Sequence, residues 1–214
     1  MFIGHYALGF AGKSIDKRPS LGTMFLAVQW LDLIWPIFVL TGVEKVSIEP
    51  GNTVLTPLNF EYYPWSHSLL MAIGWGLLFA IVYYIAKKNG RGSVLLFFLV
   101  ISHWLLDYIT HRTDLPISPF SDTKVGLGLW NNKWVEIVLE SALFIAGILI
   151  YTRITKPKNN TGKWSLWILL LVLVIIHFAN MFGPLPPSVD AIGWAGLALW
   201  LFVIWGYWID RNRQ

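Results

Sequence analysis

Residues 93–111 read Ser93-Val-Leu-Leu-Phe-Phe-Leu-Val-Ile-Ser-His103-Trp-Leu-Leu-Asp107-Tyr-Ile-Thr-His111. Ser93–Thr110 is an apolar run within the 17–25 residues, about, that a bilayer-spanning helix needs. It nevertheless carries a histidine and an aspartate, and a second histidine closes it. His103, Asp107 and His111 stand at i, i+4 and i+8. Each step of four turns a helix by about 400°, so the three line one face within roughly 80°. A charged side chain near the bilayer centre costs about 2.5–3.5 kcal/mol on insertion scales. Such a stripe needs a partner. Imidazole and carboxylate at i, i+4 are close enough to bind one metal ion, and both are ordinary zinc ligands. The bland alternative is a hydrogen-bonded polar stripe between helices.

The rest of the chain repeats the apolar pattern. Five further runs are of spanning length: Leu21–Val43, Ser66–Ala86, Trp134–Thr152, Trp164–Phe182 and Val189–Ile209. Of 214 residues, 56% are hydrophobic and 13% charged, with mean hydropathy +0.58. A soluble domain is nearer a quarter charged, so the fold class expected is all-α, a six-span membrane bundle. Phe2–Ala11 is apolar but too short to cross. Its basic neighbours Lys13, Lys17 and Arg18 follow it, the wrong order for a signal peptide; a short re-entrant or interfacial helix is expected. The chain has no cysteine, which excludes disulfides, iron–sulfur clusters and thiolate metal sites.

The net charge of +4 reads as topology rather than nucleic-acid binding, because the basic residues sit between apolar runs. Twelve of the sixteen lysines and arginines fall on one side of the expected bundle and four on the other (Lys45, Arg112, Lys124 and Lys133). The positive-inside rule then puts both termini in the cytoplasm. Tyrosines and tryptophans at the span ends agree. The sequon Asn159-Asn160-Thr161 falls in a cytoplasmic loop and is discounted. No internal repeat is evident. Residues 156–163 read as a linker between a four-span core (1–155) and a two-span hairpin (164–214).

Polar residues inside apolar runs concentrate in the first four spans. Asp32, in Trp30-Leu-Asp32-Leu-Ile-Trp-Pro36, lies 11 residues past Leu21, about 17 Å into a ~30 Å core. Pro36 cannot donate to the Asp32 carbonyl, so a kink is expected there. His67 follows Pro64 in what reads as the first turn of span two. On straight helices it sits higher than His103; only tilt or a dipping loop would join them. His5 lies on the short N-terminal helix. Glu136 and Glu140 form an i, i+4 pair in span four, readable as ligands of a further metal, as a proton-moving pair, or as ion-pair partners of Lys133 or Arg112. His177 is alone on an apolar helix and reads as structural.

At these residues a likeness emerges. Gly4-His5, Leu31-Asp32, Ser66-His67-Ser68-Leu69 and Ser102-His103-x-x-x-Asp107 resemble, in that order, the YdjM-like family of bacterial inner-membrane predicted metal-dependent hydrolases. That family distantly resembles the zinc-dependent phospholipase C and single-strand nuclease superfamily. The resemblance covers roughly residues 1–115. His111-Arg-Thr-Asp-Leu-Pro116 and Gly126-Leu-Gly-Leu-Trp-Asn131 look like a narrower bacterial subgroup. The likeness implies that His5, Asp32, His67, His103 and Asp107 are metal ligands, with Asp107 shared between a first zinc and a second zinc at His5. The secreted enzymes offer an N-terminal Trp amine where this chain begins Met1-Phe2. For a third zinc only His111, Glu136 and Glu140 are at hand.

The leading expectation is a membrane-embedded zinc hydrolase of a phosphoester or phosphodiester, with a membrane lipid or lipid-linked phosphate as substrate and no nucleic acid. His111 joins the ligand candidates. Glu136 or Glu140 would move the proton, and Arg112 or Lys133 would steady a phosphate. The rivals are a metal or proton transporter and a membrane protein whose polar stripe only packs helices.

Overall fold

The computed structural model describes all 214 residues, and 67% of them are helical. Ten α-helices follow the apolar runs. α1 (Ile3–Gly12), α2 (Leu21–Val28) and α3 (Trp30–Leu40) lead to an antiparallel hairpin of β1 (Lys45–Ile48) and β2 (Leu58–Tyr62). One turn, α4 (Pro64–His67), precedes α5 (Leu69–Lys87) and α6 (Gly90–Thr110). A second small hairpin, β3 (Leu115–Pro116) with β4 (Lys124–Val125), leads to α7 (Lys133–Ile154). α8 (Asn160–Phe182), α9 (Val189–Leu197) and α10 (Leu199–Arg211) complete the chain. Five helical stretches are long and apolar enough to cross a membrane: α5, α6, α7, α8 and the continuous α9–α10. The α2–α3 pair is a sixth candidate, bent by 55°. The two hairpins are the departure from an all-helical chain, and both lie in loops.

Local chemistry sets the helix starts. Ser20, Ser68, Asn89, Asn132, Asn159 and Ser188 each accept a backbone N–H two or three residues into the next helix. The bend in the first span is not at Pro36, where the sequence placed it. It falls at Gln29, and α3 runs through Pro36 to Leu40. The break frees the last carbonyl of α2, Val28, for a side chain of α6. It also starts a new helix at Trp30, so Asp32 lies in a first turn, where the dipole favours a carboxylate.

α1 is neither exposed nor peripheral: eight of its ten residues are buried. It packs on α7, α2 and α6 at the centre of the bundle. Contact with α7 is backbone-close, since a Cβ on Gly147 would run into the Ala7 carbonyl oxygen. α2 meets α10 the same way, with Gly206 against Gly22. Small residues of this kind let membrane helices approach and gain dispersion contacts. One cluster of buried apolar residues joins Tyr6, Phe10, Phe25 and Phe144 to Leu169, Leu173 and Phe202, so the C-terminal hairpin shares its core with the earlier helices. At the basic end, Lys13 pairs with Asp210 at 2.7 Å, Asn89 donates to Asp16, and buried Arg213 binds Thr155 and the Gly162 carbonyl. Four strongly basic connections therefore lie together at one end of the bundle.

Candidate metal centre

The i, i+4 pair of α6 is the base of the site. His103 and Asp107 are buried, and their side chains meet Asp32 from α3, His67 from α4 and His5 from α1. His67 reaches them because the chain breaks at Ser68, whose backbone is extended. His67 therefore ends a one-turn helix and does not open the long one. This break turns the segment between β2 and α5 towards the bundle and removes the difference in height expected from straight helices.

The arrangement divides about Asp107. On its Oδ2 side, His103 Nε2 lies 3.1 Å away and His67 Nε2 3.9 Å away. Asp32 Oδ1 stands 3.3 Å from His67 Nε2 and 3.7 Å from His103 Nε2. On its Oδ1 side are His5 Nε2 at 3.1 Å and the Met1 amino group, which donates at 2.8 Å. The two groups His5/His103/Asp107 and Asp32/His67/His103 each bring their ligand-type atoms within 4.8 Å of one another. The His5 and His103 rings stack with centroids 3.7 Å apart.

The hydrogen bonds decide which way the lone pairs point. His103 Nδ1 is 2.6 Å from the Val28 carbonyl, so it carries a proton, and in the neutral ring that leaves Nε2 bare. His103 Nε2 is buried and makes no hydrogen bond, although Asp107 is 3.1 Å off. His67 Nδ1 is 2.7 Å from Ser66 Oγ, whose proton goes to Glu44 Oε2 at 2.6 Å, so His67 also presents a bare Nε2. With both rings neutral, two imidazole lone pairs and two carboxylates face one another. Acceptors at 3.1–3.9 Å repel unless a cation lies between them. Ligand atoms at 2.0–2.2 Å around a tetrahedral zinc are about 3.4 Å apart, so the donor set fits a zinc ion. On the second group, His5 Nε2 faces Asp107 Oδ1 and its Nδ1 has no partner, so no hydrogen bond on the far side of the ring fixes its tautomer.

Other candidates are placed differently. His111 does not join the cluster. It is the C-cap of α6 with extended backbone, which swings its ring off the face that the i+8 spacing gave it. Its Nδ1 bonds Asp114 at 3.0 Å, Tyr63 joins both, and Trp130 packs 4.1 Å from its ring. Burial raises the Asp114 carboxyl, but His111 and Arg112 outweigh it and hold the pKa below the ordinary value. Burial, and then the Asp114 charge, push the Tyr63 hydroxyl well up. Burial also pushes the Glu44 carboxyl up, with the Ser66 and Trp65 hydrogen bonds pulling back.

Arg112 donates to Asp114 and Asn59, and Lys133 to the Met181 carbonyl; neither lines the cavity beside the cluster. Glu140 accepts from the Phe2 and Gly4 N–H groups, so it caps α1 and seats His5. Glu136 is fully buried with both oxygens unpartnered and is shut off from the cavity. His177, read as structural, comes within 3.6 Å of Glu140 Oε2 and does line the cavity. Glu44 and Tyr63 were missed because their partners lie some twenty and fifty residues away; Asp114 was missed although His111 and Arg112, which it binds, are only three and two residues from it.

The cavity measures about 840 Å³ and runs between α3, α8 and α9. Asp32, His67, Asp107, Glu140 and His177 are on its wall, and Pro36, Ile176, Ile192 and Leu199 give it apolar surface. The loops at 50–58 and 183–187 also line it. No lysine or arginine does.

A helical membrane protein with a buried histidine–carboxylate cluster at the foot of a half-apolar cavity is the class this geometry defines. A model of the YdjM inner membrane protein family matches residues 64–183, more than half of the sequence, and the chain belongs to that family. The match takes in His67, His103 and Asp107 and leaves His5 and Asp32 outside it. Among curated proteins and among solved structures none matches.

Proposed function

We propose that the chain is a membrane-embedded, zinc-dependent hydrolase of a lipid-linked phosphoester or phosphodiester. The observation that carries this reading is the set of inward lone pairs: His67 and His103 spend their Nδ1 protons outward and turn Nε2 on Asp32 and Asp107. Asp32, His67, His103 and Asp107 would hold the first zinc, and His5 with Asp107 would hold the second. Zinc there supplies Lewis acidity, activating a water near neutral pH and neutralising charge on a phosphoryl group. The cavity carries no lysine or arginine, so the phosphoryl charge has no other counter-ion on its wall. His177 Nε2 has no partner and its Nδ1 faces Glu140, which suits it to take and return a proton. The apolar surface of α3, α8 and α9 admits a lipid chain beside the headgroup.

In the membrane, the bent α2–α3 pair counts as the sixth span and α1 as an inserted, non-crossing helix. The gathered basic end faces the cytoplasm with both termini, which turns the cavity outward. A second reading, a metal or proton transporter, draws on the same bend, since broken helices line ion paths in transporters. One experiment separates them. Full-length protein is purified in detergent and its metal measured, then assayed on phospholipid and polyprenyl phosphate and for metal flux in proteoliposomes. Zinc with turnover supports the hydrolase. Zinc flux without turnover on any substrate favours transport, and an absence of bound metal refutes both metal readings.

A further inference from the structure

An imidazole that ligates through one nitrogen must place its other N–H somewhere, and that partner sets the tautomer. His103 uses a main-chain carbonyl. His67 uses a side chain that is itself held by another. Ser66 Oγ stands 2.7 Å from His67 Nδ1 and 2.6 Å from Glu44 Oε2. Glu44 lies in the loop after α3, only 1% exposed, and does not line the cavity. Its Oε1 accepts from the Trp65 and Ser66 N–H groups, both at 2.8 Å. A carboxylate only accepts, and a hydroxyl has one proton to give. That proton goes to Glu44, so Ser66 shows His67 a lone pair, and Nδ1 must be the protonated nitrogen.

We infer that Glu44 is a positioning residue that acts through the Ser66 hydroxyl to fix His67 in its Nδ1–H tautomer, and so sets how tightly the Asp32/His67/His103 group holds its metal. The inference rests on the metal reading above. A plainer role, in which Glu44 merely ties down the turn at Trp65 and Ser66, makes a different prediction for one isosteric change. In Glu44→Gln the amide oxygen keeps both backbone bonds. The amide nitrogen then donates to Ser66 Oγ. The hydroxyl turns its proton to His67 Nδ1 at 2.7 Å in preference to the Tyr63 carbonyl at 3.4 Å, and Nε2 takes the hydrogen and loses its lone pair. A turn-tying role leaves metal affinity unchanged by this substitution; a relay does not.

The test is chelator-competition titration of zinc into the full chain in detergent, with ¹⁵N spectra of the histidines in metal-free protein. Glu44→Gln should weaken the tighter zinc by about 10–100-fold and shift His67 to the Nε2–H form, with the melting temperature of the metal-free protein unchanged. In Ser66→Ala, His67 samples both tautomers and the loss is smaller. Adding Glu44→Gln to Ser66→Ala should then cost nothing more, because the amide no longer reaches the ring. If Glu44→Gln does not fold, an Nδ1–H tautomer undiminished in Ser66→Ala overturns the relay. Wild-type protein that binds no zinc refutes the metal reading and this inference with it. Zinc bound equally by wild type and Glu44→Gln, with His67 still Nδ1–H, refutes this inference alone.

Discussion

Asp107→Asn tests the division of the site most sharply. The side chain keeps its shape and loses one acceptor. Two neighbours dictate how the amide turns. The Met1 amino group, 2.8 Å from Oδ1, can only donate, and the bare Nε2 of His103, 3.1 Å from Oδ2, can only accept. The amide oxygen therefore stays with Met1 and His5, and the amide N–H points at His103. That fills the lone pair which the Asp32/His67/His103 group needs. A four-ligand zinc site is worth about 10–16 kcal/mol in apparent binding at neutral pH, or about 2.5–4 kcal/mol per ligand. Losing His103 and Asp107 together from the first group costs twice that. The second group keeps its oxygen and loses only part of the charge. On the two-zinc reading proposed above, two equivalents should fall to one, with His5 still engaged. The assay is zinc content after equilibration in chelator-buffered zinc, alongside His5→Ala, which should spare the first equivalent and lose the second. Two equivalents retained at wild-type affinity by Asp107→Asn, in protein that melts normally, would refute the claim that Asp107 serves two groups.

Glu140→Ala leaves the Phe2 and Gly4 N–H groups without their charged acceptor; thermal melts should show a loss of about 2–4 kcal/mol, and metal analysis a loss of the equivalent at His5. Gly147→Ala drives a methyl into the Ala7 carbonyl; denaturation should register about 1–3 kcal/mol, with the α6 pair His103/Asp107 intact. Asp16, in the loop after α1, is pushed up by burial but pulled down further by Arg18 and Asn89, to about 2. Its contribution is complete above about pH 4 and is lost as the pH falls towards 2; melts across that window should lose this step in Asp16→Asn.

The long apolar runs made the five spanning helices legible, and four-residue spacing on one of them made His103 and Asp107 legible. Both readings rest on local periodicity. What escaped were features settled by distant partners. Nothing near Gln29 announces a break, because neither proline nor glycine is there; the bend is stabilised from α6, by the His103 ring that takes the Val28 carbonyl. Pro36 looked decisive and was not, since α3 runs through it. His111 kept its helical register on paper only up to the residue where the helix ends. Glu44 gave no sign because its partners, Trp65 and Ser66, lie some twenty residues on. The short N-terminal helix was seen as an element, but its enclosure depends on Gly147 and could not be read from its own sequence.

That enclosure has a consequence for biogenesis. α1 is made before every helix that surrounds it, and its seat against Gly147 leaves the ribosome roughly 140 residues after Ala7. At about 5–20 residues per second, translation takes on the order of ten to thirty seconds to get there. Through the last part of that interval His5 has α2 and α6 beside it but not α7. The ligand-type residues of both groups are thus complete once Asp107 is made, while the helix that encloses α1 is still to come. Asp107 comes off the ribosome before α7 does, so the Asp32/His67/His103 cluster can gather while the His5 side still lacks the helix that holds it closed.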